Sequence, residues 1–165
     1  MPAPIPSPAQ PPPLRLEHPL PPYRYVPGLN PHPLKHPQGH SRDPERIPLA
    51  HQWIRGLDLF DHRYYWEAHE VWEAVWKAVP EGSERQLLQG LIQLSAATLK
   101  HHLGQPRPCQ LLLQRGGARV EAVIAAEGAM WRGLDLPATL AGVHAFVGGG
   151  DWPAIVSAAP LSLRS

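Results

Sequence analysis

The residues best suited to chemistry are concentrated in one stretch, Tyr64-Tyr65-Trp66-Glu67-Ala68-His69-Glu70-Val71-Trp72-Glu73-Ala74-Val75-Trp76. Wound as a helix at about 100° per residue, it places Tyr65, Ala68, Val71, Trp72, Val75, Trp76 and Val79 on one broad apolar arc. Glu67 and His69 then fall on the two opposite borders of that arc, with Glu70 and Glu73 on the polar side. His69 and Glu73 are four residues apart, so their side chains can meet, and Glu73 can also pair with Lys77. An imidazole beside two carboxylates suits two kinds of chemistry. His69, Glu70 and Glu73 could ligate a divalent metal, or act as general acid and base in a cleft lined by Trp72 and Trp76. A structural reading needs no ligand: His69 donates a ring hydrogen to Glu73 at the edge of the core. No second histidine follows between Val71 and Trp76, so this is not the HExxH zinc motif, and no repeated ExxH di-iron pattern is present.

A second polar group follows on the next helical segment. Gln86, Gln89 and Gln93 form a strip beside an apolar face, and their amides could orient a bound ligand or satisfy His69 or a buried carboxylate from the facing helix. Gly90 and Ala97, seven residues apart, make a smooth stripe for close packing of a neighbouring helix or a Trp ring. His101 and His102 fit the favourable cation position at a helix C-terminus. Cys109 stands next to Pro108 near a helix start, where a thiol's pKa can fall.

The elements that must position these groups are helical, because after Pro48 apolar residues recur three and four apart with no strand-like alternation of useful length. Helices are predicted over residues 48–60, 63–79, 83–104 and 108–126, with shorter ones over 137–146 and 152–158. Ser83 with Gln86 reads as a capping box, and Gly116-Gly117 should weaken the fourth helix. The fold class is all-α: a compact helical bundle of four to five helices preceded by a disordered or extended Pro-rich N-terminal tail. The division is a tail over residues 1–46 and a single all-helical domain over 47–165.

Proline sets that boundary. Of 22 prolines, 16 fall in the first 48 positions, where each fixes its own φ and biases its predecessor toward extended geometry. The tail reads as a linker or solvated segment, with Tyr23-Arg24-Tyr25-Val26-Pro27 as the part able to dock on the domain. It could also serve as a polyproline ligand for a partner's aromatic groove. His32, His36 and His40 recur every four residues, yet without a helix that spacing aligns no metal site.

Charge and cysteine content narrow the function classes. Lys and Arg total 15 against 14 Asp and Glu, with the small basic excess in the tail, so a phosphate-gripping surface is not expected. A nucleic-acid role would require Arg85, Lys100, Arg107, Arg115 and Arg119 to gather on one face. One cysteine excludes an internal disulfide framework and fits a reducing compartment. No apolar run reaches a membrane span, and the opening residues lack signal-peptide character, so a cytoplasmic protein is expected.

Leu59-Phe60-Asp61, the block from Tyr65 to Glu73 containing EAHEVWE, Trp76, Glu84-Arg85, and the LQGLIQL block from Leu88 to Leu94 with Ala97 resemble the helical family of domains of unknown function 309 (DUF309). The resemblance spans roughly residues 47–120. It implies a compact helical fold found in bacterial, archaeal and plastid proteins, without an established activity. It also singles out His69, Glu70, Glu73, Gln89, Gly90 and Gln93 as motif positions, whether as a site or as a shared buried network. The long proline-rich extension and Gly116-Gly117 depart from the family pattern.

Two functional readings follow. In the first, the chain is a non-enzymatic protein-interaction or self-association module whose motif polar groups form an internal hydrogen-bond network. Six tryptophans in so small a chain favour a homo-oligomer or a protein partner held through the Trp-rich helices. The second reading is a metal-assisted or acid/base hydrolase using His69, Glu70 and Glu73, oriented by Gln89 and Gln93. It requires a cleft open to solvent beside His69.

Overall fold

The computed structural model describes residues 2–35 and 47–157. Helix α1 (Leu49–Asp61) starts at Pro48, which serves as N-cap, and is followed after His62 by Arg63 at φ 69°. Helix α2 (Tyr65–Ala78) stops before Pro80. Helices α3 (Ser83–His102) and α4 (Pro106–Glu127) are the longest, and α5 (Leu136–Val147) closes the set. Helices α1 to α4 pack each against the next, giving an all-α bundle.

Several local expectations change. Gly82, at φ 151°, is the N-cap of α3, so Ser83 lies inside the first turn and its hydroxyl donates to Glu127 at 2.8 Å instead of forming a capping box. Gly116-Gly117 does not interrupt α4, which runs unbroken through both residues. The reason is tertiary: a Cβ on Gly116 would stand 3.0 Å from the Gly90 carbonyl oxygen, and one on Gly90 would stand 3.2 Å from that of Gly116. The two glycines let α3 and α4 cross at close range, and packing there outweighs helix propensity. The helix expected over 152–158 is absent over its described part. That stretch is extended, with Val156 accepting from the Asp135 amide at 2.8 Å and Ser157 bridging Leu134. A small hairpin also escaped the periodicity. Strands β1 (Met130–Trp131) and β2 (Leu134–Asp135) are joined by Arg132 and Gly133, both at positive φ, the conformation a two-residue hairpin turn demands.

Several of the tryptophans pack on other rings of the same chain. Trp72 is fully buried, tilted against Phe60 and edge-on to Trp53, which in turn meets Trp131. Trp152 stacks on Tyr65 and lies against Phe146 and His102. Cys109 is buried, and burial pushes its thiol pKa up, not down.

Residues 2–35 are largely extended, as their prolines dictate, with a turn over residues 27–29 in which the Leu29 amide donates to the Val26 carbonyl at 3.0 Å and a 3-10 turn at Pro33–Lys35. They lie against the helices instead of standing off as a solvated linker. Val26 is fully buried, Ile5 nearly so, and Tyr25 and His32 both meet the Trp66 ring edge-on. His36 and His40 lie outside the described residues.

Candidate functional site

The α2–α3 packing brings the motif residues to one groove. It has a volume of about 260 Å³ and is lined by His69, Glu73 and Trp76 from α2, Gln89, Ile92, Gln93 and Ala96 from α3, and Leu112 from α4. The apolar arc of α2 supplies the register, since Ala68, Val71, Trp72 and Val75 are buried and therefore fix which border of the helix faces the groove.

His69 stands between two carboxylates. Its Nδ1 lies 3.3 Å from Glu70 Oε1, and its Nε2 lies 3.8 Å from Glu73 Oε2. The adjacent Glu70 is thus closer than Glu73, the partner expected from helical spacing. Glu73 also reaches Lys77 at 3.5 Å. The three side chains remain 30%, 44% and 35% exposed for His69, Glu70 and Glu73, so they form an open edge and not a sealed network. One donor atom from each falls within 4.8 Å of the others, close enough for a single divalent cation to gather them.

The glutamines serve different purposes. Gln93 Oε1 accepts from Arg119 Nε at 3.2 Å, while Gln86 Oε1 accepts from Arg119 Nη1 at 2.9 Å. With its oxygen held by α4, Gln93 keeps its NH₂ group to donate. Gln89 makes no side-chain hydrogen bond among the described residues and lines the groove. Trp76 Nε1 is buried without a hydrogen-bond partner among them, and Arg85 covers the indole at 4.2 Å. Trp72, named with Trp76 as a wall of the cleft, is instead a core residue whose indole donates to the Trp53 carbonyl at 3.1 Å.

Residues 53–112 match the family model described as Domain of unknown function (DUF309). This stretch is similar to DUF309 domains. No curated protein and no solved structure matches the chain. All of the α2 and α3 groove residues fall inside the DUF309 match, as does Leu112 at its end, while Arg119 lies beyond it. Sequence reasoning missed both Leu112 and Arg119. Arg119 was considered only as a cation for nucleic acid, yet it and Arg85 are engaged with glutamine amides and an indole respectively. No helix among the described residues is long and apolar enough to cross a membrane.

Proposed function

We propose that the helical domain is a non-enzymatic binding module whose α2–α3 groove seats an anchor side chain of a protein partner. The lining of the groove carries this reading. Its apolar floor with a polar border, in a volume of about 260 Å³, suits the single buried anchor that dominates many interfaces. Ile92, Ala96 and Leu112 provide an apolar floor for an aliphatic or aromatic group. Around it, the Gln89 amide, which has no side-chain hydrogen bond among the described residues, and the Glu73 carboxylate match the donors and acceptors of a flanking peptide backbone.

Ala96→Trp tests the proposal by filling the groove from a half-buried position. Peptides selected for binding to the full chain should lose affinity at least tenfold, about 1.4 kcal/mol, against this variant. Peptides that bind it equally well would refute the groove as their site.

A second reading rests on the convergence of His69, Glu70 and Glu73 within 4.8 Å. A divalent cation held there would make the groove edge a place to polarise water for hydrolysis. Isothermal titration of the untagged protein with Zn²⁺ or Mn²⁺, repeated on His69→Ala, tests it. Absence of binding at millimolar metal, or binding that His69→Ala leaves intact, would refute it.

A further inference from the structure

The opposite border of α2 carries a different site. Residues 2–35 are held along α1 and α2 largely through their backbone. Asp58 accepts from the amides of Arg15 and Leu16, both at 2.9 Å, and Glu67 accepts from the Tyr25 amide at 3.0 Å. Arg55 donates to the carbonyls of His18 at 3.0 Å and Pro19 at 2.6 Å, and Tyr64 donates to that of Pro21 at 3.0 Å. Other contacts depend on side-chain identity: Arg24 donates to the His62 carbonyl at 2.8 Å and lies over the Tyr64 ring, and Tyr25 and His32 meet the Trp66 ring edge-on. Arg15 reaches Asp61 at 2.7 Å and Asp58 at 3.2 Å, and Val26 and Ile5 are buried apolar anchors.

We propose that the α1–α2 face is a binding site for an extended, proline-rich peptide carrying arginines at the Arg15 and Arg24 positions, occupied in this chain by its own residues 2–35 as a releasable ligand. Three features support it. The receiving face is polar and charged: Arg55 and Asp58 are completely buried under the segment and Glu67 nearly so. Such groups become hydrated when uncovered, whereas an apolar face would not tolerate exposure. The segment is also preorganised, since proline has already restricted it to extended conformations and less freedom is lost on docking. Finally, backbone recognition leaves the sequence requirement short. A chain with arginines at the Arg15 and Arg24 positions, carbonyls in the register of Pro19 and Pro21, an aromatic residue at the Tyr25 position and an apolar residue at the Val26 position would meet most of the same partners. This site is independent of the α2–α3 groove, because Glu67 and His69 occupy opposite borders of α2.

The test uses the full chain with a protease recognition sequence inserted between residues 36 and 46, cut after folding. The released fragment should co-elute with the helices on gel filtration. A fluorescent peptide of residues 2–35 should exchange into the nicked protein, and its Arg15→Ala version should bind at least about tenfold more weakly. Helical circular dichroism should persist once the fragment has been washed away. A peptide that never exchanges, helices that unfold when the fragment leaves, or an Arg15→Ala peptide that binds as tightly as the native one would overturn the proposal. On the unmodified chain, the amides of Arg15, Leu16 and Tyr25 should exchange hydrogen together and faster than the core of α3. Protection equal to that of global unfolding would also overturn it.

Discussion

Replacing Arg15 with alanine should destabilise the protein strongly at pH 7 and much less at pH 4. The guanidinium serves two carboxylates at once, at 2.7 Å from Asp61 and 3.2 Å from Asp58, and those side chains are only 5% and 1% exposed. Removing one partner from a buried ion pair typically costs about 3–5 kcal/mol, because the remaining charge is left without compensation. Arg15 itself is 14% exposed, so water can partly replace it, and the lower end, about 3 kcal/mol, is the better expectation.

The pH dependence follows from Asp61. Its pKa is raised above 3.8, first by burial, against the lowering effects of Arg15 and of the Ile155 amide, which donates to it at 2.7 Å. A raised pKa means that the folded state holds the proton more tightly than the unfolded chain. Its contribution to stability is therefore complete below the unfolded pKa and is lost as pH rises through the folded pKa. Without Arg15 the folded pKa rises further, and the loss between pH 4 and pH 7 grows. Urea unfolding of wild type and Arg15→Ala at both pH values measures this directly. In an Asp61→Asn background, which keeps an acceptor for Ile155, the Arg15→Ala penalty at pH 7 should shrink by at least about 1 kcal/mol. A penalty below about 1 kcal/mol at pH 7, or one of the same size at pH 4, would refute the reasoning.

Three further outcomes are expected. Gly116→Ala should lower stability by about 1–2 kcal/mol, although helix propensity alone favours alanine by about 1 kcal/mol, because the added methyl meets the Gly90 backbone oxygen; a stabilised variant in urea unfolding would contradict the crossing. His69→Ala should change stability by no more than about 0.5 kcal/mol, as expected of a partly exposed ion-pair residue. A drop of several degrees in melting temperature would restore the buried-network account. Arg119→Met should free Gln86 and Gln93 together, shifting both side-chain amide signals in NMR spectra while leaving Gln89 unmoved, and shifts confined to one glutamine would show that the fork does not hold both.

The groove was legible in the sequence to the extent that single helices determine it. His69 and Glu73 share a border of α2, and Gln89 and Gln93 share a face of α3, so periodicity groups each pair correctly. Leu112 and Arg119 come from α4, whose approach depends on the Gly90–Gly116 crossing, and no local pattern reports it. The buried charges are harder still. Arg55, Asp58 and Asp61 are buried in part beneath a segment whose Arg15 lies 43 positions from Asp58, a separation that no helical periodicity reports. The tryptophan contacts were hidden for a related reason: Trp66 is met by Tyr25 and His32 of the extended segment and Trp152 by Tyr65 and Phe146, pairings between distant parts of the chain that composition does not report.

Helix α2 thus carries two sites that differ in what they require. On one border, Glu67 belongs to a charged face that is already covered and whose partner is part of the same chain. On the other, His69 and Glu73 edge a groove whose amide and indole donors have no partner among the described residues. The helix between them is packed through Ala68, Val71, Trp72 and Val75, all buried, so it has little freedom to rotate when either site is filled. Release of residues 2–35 should therefore leave the groove unchanged: the Trp76 indole resonance should keep its position in the nicked protein after the fragment is removed. A shifted Trp76 signal would instead show that the two borders of α2 are coupled and that occupancy of one face sets the shape of the other.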